Sequence, residues 1–517
     1  MHFSGSNYIN LKRIDNLLIG VVLLARYRHM ETKKKSKLLN PYILVILSFA
    51  LVILVGSLLL TMPWANNFNA WLFNYKVNAE TGQRITYLDC LFTAVSATCV
   101  TGLFSYPFPV AEVLSFPGQI ILVTMIEIGG LGFITILTFI ITLFNSKLEF
   151  RDRYFISQMV GSTNFADVVK FVRKLIIISV IIVATGTVLG LPVFLTMYKD
   201  NILQGIWTSF FHSVSAFNNA GFDLFTNSLV GGVTGLNGET ISSPLYVYLC
   251  IYTMLLIVVG GISFVVIIEV FTGHKKPTQW RPFTKIVLFT TAILLTVGTV
   301  GFFLFEGLTG DNRITFLDAI FQSVTCRTAG FSTFDQSNLS AGGKALSCLL
   351  MFIGGSPIST AGGIKTTTAF MVILAMVSYF SGSRPIAFKR LYSNNMVAKA
   401  MSLIFIVIFI VLLGYIGLNT FGLDPTTSHL YYEGLEAAGK SPQLSMDFGF
   451  ELFSAMGTVG LGIGVEPYLS IGSKIVLCLI MFLGRIGPIT FLSIFQYSMT
   501  KENQLHYDYV EEDFLIG

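Results

Sequence analysis

The sequence predicts an all-α integral membrane protein: four helix–pore-loop–helix repeats set with pseudo-fourfold symmetry around a central ion pathway, with eight transmembrane spans. Three observations predict it. Of 517 residues, 53% are hydrophobic and only 12% are charged, about half the ~25% charged share of a soluble domain. A Gly-centred loop recurs four times: Cys99-Val100-Thr101-Gly102-Leu103, Asn218-Asn219-Ala220-Gly221-Phe222, Arg327-Thr328-Ala329-Gly330-Phe331 and Gly457-Thr458-Val459-Gly460-Leu461. Each follows a similar run (FTAVSAT, FHSVSAF, FQSVTC, FELFSAM), and the central glycines lie 119, 109 and 130 residues apart. A period this long is one structural unit, and four units suggest a ring. Finally, each loop falls between two apolar segments.

Those segments are 42–62, 117–144, 175–197, 244–271, 285–306, 345–380, 400–422 and 473–498. Each holds about 20 or more mostly apolar residues, enough for a ~30 Å hydrocarbon core. The repeats then run 41–146, 147–274, 275–382 and 383–498, after a basic extension 1–40 and before a tail 499–517. Segment 345–380 is too long for one straight helix, and Gly354–Lys365 (GGSPISTAGGIK) interrupts it. The loops sit between spans one and two, three and four, five and six, and seven and eight, so all enter from one side. Segments 1–40, 147–174, 273–285, 382–399 and 499–517 carry 23 Lys/Arg, against eight on the segments with the loops. Positive-inside logic places both termini in the cytoplasm and the loops outside the cell membrane.

Within 1–40, the apolar stretch Ile14–Ala25 is short for a span, and its larger basic cluster follows it, the reverse of a signal peptide. An interfacial amphipathic extension and a disordered tail both fit. The six cysteines form no CxxC or metal-ligand spacing, which argues against a disulfide framework or zinc site. A P-loop, HExxH, GxSxG and paired carboxylates are all absent, so the expectation is no enzyme and no organic cofactor. The net charge of +5 gives no reason to expect nucleic acid.

A potassium ion entering a membrane must exchange water for oxygens at matched distance, and backbone carbonyls aimed by glycine-containing loops supply them. Cys99, Val100, Thr101 and Gly102, then Asn218, Asn219, Ala220 and Gly221, then Thr328, Ala329 and Gly330, and last Thr458, Val459 and Gly460 are the candidate selectivity filter, with K+ at its carbonyls. The short helices before the loops start near Asp89, Gly205, Asp318 and Asp447, where acidic residues can cap them. Their C-terminal ends, partly negative, would point at the cation.

A second motif follows each loop: Ile128-Gly-Gly-Leu-Gly-Phe133, Val259-Gly-Gly-Ile-Ser-Phe264, Ile353-Gly-Gly-Ser-Pro357 and Leu483-Gly-Arg-Ile-Gly-Pro488. Small residues here fit close helix packing or function. Arg485 stands where the other copies carry glycine, and a charge at that depth needs a partner. Repeat three is expected to hold the only broken helix, so Arg485 is expected to contact it. The candidate gate is Gly354, Gly355, Ser356, Thr360, Gly362, Gly363 and Lys365 with Arg485; a static kink is the alternative. Glu127 should pair with a polar neighbour or couple ions, Arg327 should brace the third loop, and His212 should pack or hydrogen-bond locally.

Together these residues resemble the membrane subunit of the bacterial Ktr/Trk potassium-transporter superfamily, KtrB-like, from about residue 40 onward. The four loops, GGSPISTAGGIKTTT at 354–368 and GRIGPIT at 484–490 carry the resemblance. It implies potassium uptake through a channel-like pore, with selectivity set by Gly102, Gly221, Gly330 and Gly460. It also implies an intramembrane gating loop at 354–365, Arg485 as the family's conserved arginine, homodimers with one pore per subunit, and a cytoplasmic nucleotide-binding regulatory ring. Sodium-favouring relatives often carry Ser in the first loop, so Gly102 argues for potassium; sodium remains a candidate activator. The alternatives are a Na+- or H+-coupled transporter working by alternating access, often built from inverted repeats, or a membrane scaffold. Loops that all lie on one side favour the pore.

Overall fold

The computed structural model describes residues 41–76, 84–132, 168–225, 228–230, 243–272, 276–308, 314–437 and 443–487. The extension 1–40, residues 147–167 of the second inner segment, the Gly232–Gly238 loop, the tail 499–517 and the ends of spans 117–144 and 473–498 lie outside the described residues, as do Phe133 and Pro488. The described chain falls almost wholly in one compact unit, Phe49–Ile489. Of a second unit, Met1–Ser48 with Thr490–Gly517, only 41–48 are described.

The long elements are helices. In chain order they are α1 (Pro41–Leu60), α2 (Tyr87–Cys99), α3 (Phe116–Leu131), α4 (Val168–Met197), α5 (Ile202–Asn218), α6 (Ser243–Gly261), α7 (Phe264–Thr272) and α8 (Pro282–Phe302). They continue with α9 (Phe316–Thr325), α10 (Ala341–Phe352), α11 (Thr366–Phe380), α12 (Asn394–Phe421), α13 (Ser428–Ala437), α14 (Leu444–Gly457) and α15 (Ile471–Ile486). Two small antiparallel hairpins, Asn74–Lys76 with Arg84–Thr86 and Ile386–Ala387 with Arg390–Leu391, join helices.

Among the described residues, four helical stretches are long and apolar enough to cross a membrane: Phe171–Met197, Ser243–Gly261, Pro282–Leu308 and Asn394–Phe421. Shorter apolar helices, such as Ile46–Leu60 and Phe116–Leu131, accompany them. The long helices turn large apolar side chains outward, with Val180, Val188, Phe405 and Ile416 all about 60% exposed or more. Water would oppose that surface; a bilayer solvates it.

Buried at the centre are α2, α5, α9 and α14, the short helices before the four loops. Asp89 accepts the Thr86 N–H at 2.8 Å, and Asp318 accepts the Thr315 N–H at 3.0 Å, each closing a capping box. The second short helix starts at Ile202, near Gly205 as expected; Asn201 caps it by accepting the Gln204 N–H at 3.1 Å, and Gly205 packs on α4.

The expectation of a single broken helix is also corrected. Span 345–380 breaks into α10 and α11, as its glycines suggest, but span 244–271 breaks too, at Ile262-Ser263 between α6 and α7. The two breaks satisfy each other. Ser356 N–H donates to Gly261 O at 3.1 Å, Thr360 N–H to Gly260 O at 3.3 Å, and Phe264 N–H to Ile358 O at 2.9 Å. Irregular backbone at membrane depth is stable only with such partners.

Candidate functional site

Each short central helix ends in the same way. The residue two before the glycine is left-handed: Val100, Asn219, Thr328 and Thr458 have φ of 57°, 59°, 73° and 50°. The next N–H turns back onto its helix, from Thr101 to Ser96 O, Ala220 to Ser215 O and Val459 to Ser454 O at 2.8 Å each, and from Ala329 to Thr325 O at 2.9 Å. Helix and loop are therefore one rigid piece. The serines of the preceding runs help directly: Ser96 and Ser454 hydroxyls accept the Gly102 and Gly460 N–H groups at 3.0 Å. The third run lacks that serine, and Thr325 donates to Phe331 O at 2.6 Å instead.

The four loops converge. A Cβ placed on Gly102 would lie 2.6 Å from Ala220 O, on Gly221 2.8 Å from Ala329 O, on Gly330 2.7 Å from Val459 O, and on Gly460 2.0 Å from Thr101 O. Each carbonyl before a glycine thus faces the glycine of the loop before it, and the fourth loop closes on the first. All four glycines have positive φ, at 106°, 69°, 84° and 91°. Both the backbone angle and the space exclude a side chain there. A cavity of about 430 Å³ opens on the glycines, walled by residues that follow them, including Gly462, Asp223, Asp335 and Glu466. Burial pushes the half-buried Asp223 carboxyl up to about 6, against the opposing pull of the Ser228 hydroxyl and the Phe225 N–H.

The segment 353–365 packs on the residues that lead into the loops. A Cβ on Gly362 would strike Thr458 Oγ1, one on Gly354 would strike Gly362 O, and one on Gly363 would come within 3.1 Å of Gly457 O. Gly355 lies against Ala361. Thr360 Oγ1 donates to Phe217 O at 3.1 Å and Gly260 O at 2.9 Å. The Arg485 guanidinium does reach this segment, donating to Thr360 O, and also to Gly129 O and, at 3.0 Å, Gly130 O. Its charge is thus spread over carbonyls of the non-helical segment between α10 and α11 and of the C-terminal end of α3, a helix end that suits a cation. Lys365 Nζ donates to Ala361 O at 2.8 Å. Ser356 is fully buried.

The Gly-Gly motif packs in three of its four copies. A Cβ on Gly129, Gly260 or Gly484 would meet Thr98 O, Phe217 O or Met456 O within 2.3 Å. Each of those carbonyls lies four residues before a loop glycine.

The other singled-out residues have plain partners. Glu127 accepts from Asn218 Nδ2 at 2.6 Å and from Ser179 at 3.2 Å. Arg327 is buried, with Thr291 O at 3.5 Å. His212 Nε2 meets Thr253 Oγ1 at 2.8 Å. All six cysteines are free thiols.

Sequence reasoning missed two buried ion pairs. Lys344 on α10 meets Asp447 on α14 at 2.9 Å, and Lys474 on α15 meets Asp89 on α2 at 2.6 Å. Gln119 on α3 occupies the corresponding place and accepts from Trp207 on α5 at 2.8 Å. The signal was present: each follows a serine by four residues, Ser115, Ser340 and Ser470.

The family model for TrkH, a cation transport protein, matches residues 71–507. The chain belongs to the TrkH family. It is 33% identical to the potassium/sodium uptake protein NtpJ of Enterococcus hirae, over 94% of this chain and 99% of that one. It is 30% identical to the Ktr system potassium uptake protein B of Bacillus subtilis, over 90% and 95% of the two chains. Its fold is similar to the crystal structure of the potassium transporter TrkH from Vibrio parahaemolyticus, with a TM-score of 0.62 at 17% identity over 88% of this chain and 84% of that one. This TrkH-family chain is a membrane protein, and its family is one of cation transport proteins rather than enzymes.

Proposed function

We propose that this chain takes up potassium through a channel-like pore whose selectivity filter is the ring of Thr101–Gly102, Ala220–Gly221, Ala329–Gly330 and Val459–Gly460. The closed order in which each of these carbonyls faces the preceding loop's glycine carries the reading. Four carbonyls per layer are what a dehydrated cation needs. The names of the relatives, potassium or potassium/sodium uptake proteins, support the ion. The chain then has eight spans with both termini cytoplasmic, and four repeats with pseudo-fourfold symmetry, divided at 146, 274 and 382. Segment 354–365 is the gate, held by Arg485, and it stands where an ion leaving the filter must pass. A homodimer and a cytoplasmic nucleotide-binding ring complete the machine, as the resemblance to Ktr systems implies; sodium acts at most as activator.

Rubidium uptake into liposomes containing the purified chain, with potassium or sodium as competitor, tests the proposal. Competition by potassium alone supports the filter. Equal competition by both ions leaves a cation pathway without the selectivity. Saturating, slow uptake coupled to a sodium or proton gradient would favour alternating access instead.

A further inference from the structure

The small hairpin between α11 and α12 serves neither the filter nor the gate. With both termini cytoplasmic, it lies on the inner side. Ile386–Ala387 pairs with Arg390–Leu391, and the chain turns at Phe388 and Lys389, whose φ of 48° and 61° are both left-handed. A two-residue turn of this kind favours Asn and Gly. Phe388 is held there by its ring, which stacks on Phe370 of α11 at 6.4 Å and meets Phe289 of α8 edge-on at 6.2 Å. The ring pins the turn to the flank of two apolar helices and leaves Lys389 at the tip. Cross-strand partners share a face, so Ile386 and Leu391 stand on one side, each 58% exposed, and Arg390 on the other. Just before the hairpin, Tyr379 and Phe380 end α11 almost fully exposed. Arg384, Lys389 and Arg390 are exposed and form no ion pair among the described residues. No Asp or Glu occurs in the chain between Asp335 and Asp424. The local charge is therefore uncompensated.

We propose that this hairpin binds the headgroup of an anionic phospholipid through Arg384, Lys389 and Arg390, with the acyl chains against Ile386 and Leu391. Exposed rings, exposed aliphatic side chains and long basic side chains together match a membrane interface: rings sit at headgroup level, aliphatic groups lie below, and basic chains reach up to phosphate. An arginine can hold a phosphate through two parallel N–H groups, while a lysine adds a point charge. The apolar surroundings favour lipid over a soluble acidic partner. Phe388 joins the hairpin to the flank of α8 and α11, where Phe289, Ile373 and Val377 are exposed as well, a surface for acyl chains rather than water. Each basic residue near an anionic membrane surface strengthens binding about fivefold.

The inference does not depend on the filter, so its test reads lipid rather than transport. The purified full chain in neutral detergent should bind a fluorescent phosphatidylglycerol more tightly than the matching phosphatidylcholine. The triple variant R384Q/K389Q/R390Q, checked for folding by its melting curve, should weaken phosphatidylglycerol binding at least tenfold, given about fivefold per charge, and leave phosphatidylcholine binding unchanged. K199Q, which removes an exposed lysine just past α4, should change neither. A triple variant that binds as the wild type does, or a K199Q protein that weakens as much, overturns the proposal. Displacement of the labelled lipid by millimolar inorganic phosphate would mark a free-anion site and overturn it too. A second arm keeps every charge. In nanodiscs, the fluorescence that L391W adds over the wild type should be quenched more by brominated phosphatidylglycerol than by brominated phosphatidylcholine, and little by aqueous iodide. Quenching mainly by iodide would place the hairpin in water, open to a soluble acidic partner, and equal quenching by the two lipids would remove the headgroup preference; either result overturns the proposal.

Discussion

Replacing Gly102 by Ser should degrade ion discrimination without dismantling the membrane body. The backbone there sits at φ +106°, which costs a side-chain-bearing residue about 1–2 kcal/mol. The new Cβ would lie 2.6 Å from Ala220 O and 3.2 Å from the Gly221 and Gly460 Cα atoms, all backbone with no rotamer to swing aside. Forcing atoms into a packed core adds about 1–3 kcal/mol. The combined strain of about 2–5 kcal/mol falls on the ring itself, because Gly102 N–H is fixed by the Ser96 hydroxyl and Thr101 N–H by Ser96 O. If about 1.4 kcal/mol of it appears as carbonyls displaced from the ion, discrimination falls about tenfold. The assay is rubidium uptake with potassium or sodium competitor, alongside a melting curve in detergent to confirm a folded protein. Unchanged discrimination in a folded G102S protein would refute the filter assignment. By the same reasoning Gly460→Ala should be worse, since its Cβ would approach Thr101 O to 2.0 Å.

Lys474→Met strands a buried Asp89 and should cost about 3–5 kcal/mol, seen as a lower melting temperature, whereas adding D89N should recover most of it. Arg485→Gln frees the Thr360, Gly129 and Gly130 carbonyls and should raise rubidium uptake by the chain without any regulatory partner; unchanged uptake would count against the gate. Asp223, with its carboxyl raised to about 6, is neutral below that pH and charged above it, so uptake from dilute rubidium should climb as external pH rises through 6, and D223N should abolish that climb.

The sequence alone determined the membrane class, the four loops and the residues that close the ring. Those features are written in short patterns. A shortage of charge forces burial in lipid, and a glycine is required wherever φ is positive with no room for a Cβ, as at Gly102 and Gly460. Arg485 was legible as well, because a lone arginine in an apolar span must find oxygen. Tertiary structure decided what depends on long-range approach. The break at Ile262-Ser263 is invisible in a sequence as apolar as its flanks, since its polar partners come from a segment about 95 residues later, from Ser356 to Thr360. The pairs Lys344–Asp447 and Lys474–Asp89 looked like ordinary outer-face lysines and helix caps, because the two halves of each pair lie 103 and 385 residues apart.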